Sequence, residues 1–300
     1  MTIRQLQCFL AMSEELHYTK AADSLHISQP SLSYSISELE KELGFQLFVR
    51  KNNQTFLSEQ GQALLPYART VAAKITELEN KARELADPAK GTVRLGNLYS
   101  ISFDIIPQLL ETFYTEKENC SISVSVVQGV SKWLMDRLTD HELDLVIAGD
   151  MGYKQAEGVK LFSQELRFIA PLNHPLAQRK EVSLADIRDE PLISLGSASH
   201  VSNHIAECFE KRGLHANFAL EVAECSAMGA FISSNMCCAV APVVPSLRSN
   251  SVRIVPFTEA DRKLLDRDMF LWWAKDQQLS HAVRRLKKSI VQFFREYPGS

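Results

Sequence analysis

The chain has 300 residues, of which 45% are hydrophobic and 23% charged, and a net charge of −3. This is globular material, long enough for two or three domains. The charge excludes wholesale coating of nucleic acid, and no apolar run approaches the roughly 18 residues that a membrane span needs.

The N-terminus, MTIRQLQCFLAMSEE, has no signal-type apolar core before charge returns, so residence in the cytoplasm is expected. In that compartment Cys8, Cys120, Cys208, Cys225, Cys237 and Cys238 stay reduced, and none forms a CxxC pair or a zinc constellation with histidines.

In chain order, Leu6, Phe9 and Leu10 mark a first helix. Thr19 is positioned to cap a second, KAADSLH, whose Ala21, Ala22 and Leu25 form a small apolar face. About three residues, His26 to Ser28, separate it from ISQPSLSYSISELEKELG. There Leu32, Ile36, Leu39 and Leu43 recur at helical spacing. Ser28 caps this helix, Pro30 lies in its first turn where a missing N–H costs nothing, and Gly44 ends it after Lys41. At about 100° per residue, Pro30, Ser33, Tyr34, Ser37 and Lys41 fall opposite the apolar stripe. That short-chained, hydroxyl-rich face lets another surface come close. Two short helices and a tight turn form a helix-turn-helix, whose second helix can enter a DNA major groove. FQLFVRKNNQTFLSEQG reads as a hairpin, with Leu47, Phe48, Phe56 and Leu57 around a polar tip from Lys51 to Gln54. It would be a wing bringing Arg50 and Lys51 to phosphates. A small helical subdomain without a ligand is the other reading of this pattern.

The run LQCFLAMSEELHYTKAADSLHISQPSLSYSISELEKELGFQLFVR, with L57-S-E-Q-G after it, resembles the N-terminal domain of LysR-type transcriptional regulators. The resemblance implies an all-α winged helix-turn-helix domain followed by an α/β effector domain of two subdomains, similar to periplasmic solute-binding proteins. It implies DNA contacts from Thr19, Ser28, Gln29, Pro30, Ser31, Ser33, Tyr34, Ser37, Arg50 and Lys51. Two positions depart from the family: Tyr34 stands where an Arg is usual, and Asn53 where a second wing cation is usual. Residues 1–57 hold Arg4, Lys20, Lys41, Arg50 and Lys51 against Glu14, Glu15, Asp23, Glu38, Glu40 and Glu42. Charge alone therefore does not point to DNA; motif and fold do.

From Ser58 to Asp87, Leu64, Ala68, Val71, Ile75, Leu78, Ala82 and Leu85 alternate by four and three, the spacing of a two-stranded coiled coil. Pro66 should kink this helix or mark its start. The alternative is an amphipathic helix packed on its own domain. The resemblance favours a linker helix pairing two chains, giving a homodimer and in turn a tetramer, which reads two half-sites. ADPAKG, 86–91, breaks the helix. The expected domains are 1–57 (DNA-binding), 58–90 (linker and hinge) and 91–300 (effector-binding). Within the last, subdomain one covers about 91–163 and 268–300, and subdomain two about 164–267.

Beyond Thr92, strands TVRLGNL, SISVSVV and LDLVIAG alternate with helical stretches SFDIIPQLLETFYTEK and VSKWLMDRLTDH, a βαβαβ order that calls for a parallel sheet. A second round follows: ELRFIAP, PLISL, HVSNHIAECFEKRG, FALEVA, SAMGAFISS and MCCAVAP. The chain then returns through MFLWWA to a last helix, Ser280 to Glu296. Such folds bind small molecules beyond the carboxyl ends of strands. There stand Ser100, Ile101 and Ser102, then Gly129 and Ser131, then Ser197 and Ser199, then Cys225 with Ser226. Each alone reads as a helix cap; their convergence at strand ends suggests a site for a small organic anion, with no cofactor and no metal. Asn235 replaces a glycine common in the family and tolerates positive φ. A peroxide-sensing branch of the family uses a cysteine pair in this region; here Cys208 is alone, with Ser197 and Ser199 before it. No nucleophile elbow, phosphate-binding Gly-Lys loop or HExxH is present, so catalysis is not expected. A stand-alone solute-binding protein is disfavoured by the helix-turn-helix. A DNA-binding scaffold whose second domain has lost its ligand fits the same pattern. The expected function is an effector-responsive, operator-binding regulator that alters contact with RNA polymerase.

Overall fold

The computed structural model describes residues 1–51, 54–86, 90–150, 152–196, 199–223, 225–248 and 251–297. Asn52, Asn53, Ser197 and half of the ADPAKG break, 87–89, lie outside them. The chain divides into two units, Met1–Ala82 and Arg83–Ser300.

The first unit holds α1 (Ile3–Glu15), α2 (Tyr18–Ser24), α3 (Gln29–Leu43), the hairpin β1 (Phe48–Lys51) and β2 (Gln54–Leu57), and most of α4 (Glu59–Ala86). Leu6, Phe9, Met12, Ala21, Ala22, Leu32, Ile36 and Leu39 form its core. The stripe of α3 read from sequence is thus the face that packs. A capping box between Thr2 and Gln5 starts α1. The N-cap of α2 is His17, not Thr19: its Nδ1 accepts from the Lys20 amide at 3.5 Å, so the helix opens earlier than expected and Thr19 sits inside its first turn. At Gly61 a Cβ would lie 2.2 Å from the Leu47 carbonyl oxygen, so only glycine lets α4 start this close to the hairpin. Ser58 joins the two, donating to the Gln46 carbonyl at 2.6 Å and accepting from the Gly61 amide at 2.9 Å.

Helix α4 begins at Glu59 and continues through Pro66. Its expected seam divides. Ala68 is buried, and Leu64 and Ile75 pack against the core of their own unit. Val71 and Leu78 are 44% and 69% exposed, with Tyr67 at 72% one turn before Val71. The apolar period of this segment therefore serves two surfaces at once. The Leu85 side chain lies outside the described residues.

The second unit runs β3 (Gly91–Leu98), α5 (Tyr99–Ser102), α6 (Ile105–Thr115), β4 (Ile122–Gly129), α7 (Ser131–Thr139), β5 (Leu145–Gly149) and β6 (Ala156–Gln164). It then runs β7 (Leu166–Pro171), β8 (Leu192–Ser194), α8 (His200–Glu210), β9 (Phe218–Glu221), α9 (Cys225–Ser233), β10 (Cys238–Pro242), β11 (Val252–Val255) and α10 (Glu259–Leu265). It returns through β12 (Arg267–Ala274) to α11 (His281–Glu296). Two mixed five-stranded sheets result, in the orders β4-β3-β5-β12-β6 and β11-β7-β10-β8-β9. β3 pairs parallel with β4 and β5, while β12 runs antiparallel to β5 and β6. Each sheet buries its own core, around Leu95, Ile147 and Leu271 in one and Phe168, Leu192 and Val240 in the other.

The chain passes between the sheets at Glu165 and again at Asp266. The crossings lie side by side: Arg267 faces Gln164 in the β12–β6 register, and the Asp266 carboxylate accepts the Leu166 amide. β6, β11 and α10 were not anticipated from sequence. In β6 the alternation fails because Leu161 and Phe162 are both buried, next to a register shift opposite Met269 and Phe270. Asn235 has φ 55°, the left-handed conformation that its side chain tolerates.

Candidate DNA-binding face and effector cleft

The turn between α2 and α3 closes through the Ile27 amide to the Ala22 carbonyl at 3.0 Å, with His26 at φ 53°. The Ser28 hydroxyl accepts the Ser31 amide at 3.3 Å and lies 2.8 Å from the Ser31 hydroxyl. Thr19, Ser28, Gln29, Pro30, Ser31, Tyr34, Ser37, Arg50 and Lys51 are exposed, and Ser33 is half-buried. Gln29, Ser33 and Arg50 come together in a groove between α3 and the hairpin, which Tyr18, Gln46 and Thr55 also line. Sequence reasoning missed these last three, because Tyr18 on α2, Gln46 before β1 and Thr55 on β2 meet α3 only through the packing of separate elements. The Arg50 guanidinium stands 5.9 Å from the centre of the Tyr18 ring. Burial and then the Glu40 charge push the Tyr18 phenol up, against Arg50, so it remains a hydrogen-bond donor. Glu40 ties the hairpin to α3 by accepting the Leu47 and Phe48 amides.

In the second unit a cavity of about 40 Å³ lies between the two sheets. Ser100, Gly129 and Ser131 reach it from one half, and Ser199 and Cys225 from the other. Ile101 and Ser102 do not line it. Ile101 is in the core, and the Ser102 hydroxyl donates to the Leu98 carbonyl at 3.1 Å and meets the Asn97 amide. Ser197 falls outside the described residues. The serines at the helix starts are not capping groups. Val130 is the N-cap of α7 and Ser199 that of α8, and neither gives a side-chain bond to the first-turn amides. Hydroxyls and amide donors are therefore both available to a ligand.

Among the cavity residues that were not foreseen are His200 and Arg267. His200 has a buried Nδ1 without a partner, and burial, then repulsion from Arg267, keeps its imidazole below the usual range. Arg267 is buried and donates from Nε at 2.9 Å and Nη2 at 2.5 Å to one oxygen, Gln164 Oε1. The Gln164 amide then donates to the Ser100 hydroxyl at 3.2 Å. A lone arginine opening an apolar strand carries no motif, so pattern reading passes over it.

None of the six cysteines is in a disulfide; Cys120 is exposed and the others are buried. Burial pushes the Cys208 thiol up to about 11 and that of Cys238 up to about 12. Cys238 lies with His174 and Glu190 in a cluster whose ligand atoms fall within 4.8 Å of one another. Its geometry suits hydrogen bonding. His174 Nδ1 accepts the Leu176 amide at 3.2 Å, so in the neutral ring Nε2 carries the proton toward Glu190 at 3.1 Å and has no lone pair for a metal.

Comparison with known proteins follows both halves of this description. The family model "Bacterial regulatory helix-turn-helix protein, lysR family" matches residues 3–62, and "LysR substrate binding domain" matches 86–295. The chain is 30% identical over 297 residues to the uncharacterized HTH-type transcriptional regulator YybE of Bacillus subtilis (strain 168), covering 99% of this chain and 100% of that one. Full-length CbnR complexed with its target DNA has a TM-score of 0.71 at 20% identity, covering 97% of this chain and 99% of that one. The effector-binding domain of QuiR in complex with shikimate has a TM-score of 0.65 at 24% identity, covering 69% of this chain and 99% of that one. At these identities the solved structures are evidence of fold.

Proposed function

The chain belongs to the LysR family of transcriptional regulators, and from that premise we propose how its parts divide the work. It is a regulator with a DNA-binding helix-turn-helix and an effector-binding domain. Its relatives are transcriptional regulators, and no catalytic step is assigned to it. In our reading, α3 enters a major groove and offers Gln29, Pro30, Ser33, Tyr34 and Ser37 to base edges. Thr19, Ser28, Ser31, Arg50 and Lys51 meet phosphates, joined by Tyr18. Residues 1–57, 58–90 and 91–300 act as DNA-binding, linker and effector-binding parts. The exposed Tyr67, Val71 and Leu78 of α4 pair two chains, and dimers associate into a tetramer on two half-sites. Such a regulator works in the cytoplasm, where operator DNA is.

The effector is a small organic anion. One observation carries this: the cavity shared by both halves is lined by hydroxyls, histidine and arginine, and none of its described lining residues is acidic. At about 40 Å³ the cavity holds little more than water, so a ligand enters only as the halves part. Closure around it then changes how subunits pack, and with that the geometry of the paired DNA-binding units and their contact with RNA polymerase.

The test is a thermal-shift screen of small carboxylic acids against matched amides and amines, on the full-length protein and on Ala223→Trp, which plugs the cavity from an exposed lining position. At least one acid should raise the Tm of the wild type and leave the variant unmoved. A cationic binder, or an acid that stabilises both proteins equally, would overturn the assignment.

A further inference from the structure

We propose that Arg267 reads the charge of the effector, selecting a compact monoanion such as a carboxylate, and that Gln164 and Ser100 pass its arrival to the crossing between the two halves. The inference rests on the reading of the cleft as the effector site. Arg267 opens β12 and Gln164 ends β6, so both stand where the chain passes between the sheets. Arg267 is 7% exposed, lines the cavity, and has no described carboxylate within 4.0 Å. Its hydrogen-bonding partner is a neutral amide oxygen that takes both Nε and Nη2. Burying a cation without a counter-charge is costly, and an anion that enters the cavity would relieve that cost. Burial lowers its pKa to about 10, which still leaves it charged at neutral pH. The other titratable groups facing it are His200, His204 and Cys225. None of them is a carboxylate.

The Nε–Nη2 edge of a guanidinium matches a carboxylate in bidentate geometry. A carboxylate in the cavity competes for that edge with Gln164 Oε1. When Gln164 turns away, its amide leaves the Ser100 hydroxyl, now 3.2 Å distant. That exchange occurs one residue from the Asp266–Leu166 bond that joins the crossings, so ligand charge becomes a change in closure. The competing role is structural, with Arg267 merely stapling β6 to β12.

The two roles predict opposite signs. Arg267→Met combined with Gln164→Leu removes the charge and leaves no orphaned amide. If Arg267 reads charge, the ligand-free full-length double variant melts higher than wild type, by about 2–4 °C for a protein of this size. Sodium benzoate and sodium acetate, compared with sodium chloride and benzamide, should then stabilise the wild type and not the double variant. Arg267→Lys, which keeps charge without the fork, should keep a reduced response. A lower melting temperature in the ligand-free double variant makes Arg267 a staple and overturns the proposal, even where neither acid binds. A benzoate shift that survives in the double variant but not in Ala223→Trp also overturns it, while leaving the cleft assignment standing. A shift that survives in Ala223→Trp removes the cleft itself.

Discussion

Glu40 accepts the Leu47 backbone amide at 2.7 Å through the same oxygen that takes the Phe48 amide at 3.2 Å. The helix assigned to the groove therefore orients the hairpin beside it. Glu40→Ala strands two amides, one of them on the fully buried Leu47, and should cost about 1.5–3 kcal/mol, the usual range for a bond to a charged group. Trp133, Trp272 and Trp273 all lie in the second unit, so tryptophan fluorescence should melt unchanged. Operator affinity, read by anisotropy, should fall. Unaltered operator binding would mean the hairpin is held by other contacts.

Tyr34 is 69% exposed on the same helix, where an arginine is usual in the family. Residues 1–57 carry five Lys and Arg against six Asp and Glu, a balance of −1. Tyr34→Arg should tighten binding at low salt and steepen the log–log salt dependence by about 0.9 if the new cation meets one phosphate. Parallel salt plots for variant and wild type would mean that the longer side chain stays at the base edges and reaches no phosphate.

The exposed apolar side of α4 makes a separate prediction. Val71→Asp with Leu78→Asp adds charge where the chain already faces solvent, so folding of the unit should be unaffected. A pairing surface there would be disrupted, because buried unpaired carboxylates are strongly unfavourable. In sedimentation the double variant should lose the α4-mediated association and bind paired half-sites more weakly. An unchanged sedimentation profile and unchanged operator affinity would put the contact on another surface.

His200 and His204 are both held below the ordinary imidazole value of 6.5, chiefly by burial. The unfolded chain therefore binds more protons than the folded one across that interval. Their contribution to stability is complete above pH 6.5 and is lost as pH falls through the lowered values. Tryptophan-detected melting should drop as pH falls below 6.5, and His200→Gln with His204→Gln should flatten the drop. A profile equally steep in the double variant would assign the acid sensitivity to other groups.

Much of this fold is legible in the sequence where one physical rule dominates. The α3 stripe, Ser28, Pro30 and Gly44 agree on one helix, and the structure has Ser28 and Gly44 as its caps and Pro30 in its first turn. Legibility fails where two demands share a residue set. Ala68 and Val71 fit one heptad seam on paper, yet Ala68 is buried against its own unit while Val71 is exposed. It fails again in β6, where a bulge breaks the alternation that marks a strand. In the cleft, serines announce themselves by standing after strands. Arg267 does not, because its place follows from a long-range pairing with Gln164, 103 residues away. Ser102 carries the same local signal as Ser100 and turns inward to the Leu98 carbonyl.

Entry of α3 into a DNA groove is read most directly by selecting random duplex DNA on the full-length protein in parallel with its Ser33→Glu variant. The wild type should enrich one sequence containing two half-sites related by approximate two-fold symmetry. The variant, sedimenting like the wild type, should enrich none, because its carboxylate would face the groove. The same sequence enriched by both proteins, or none by the wild type, would contradict the assignment of this helix to operator recognition.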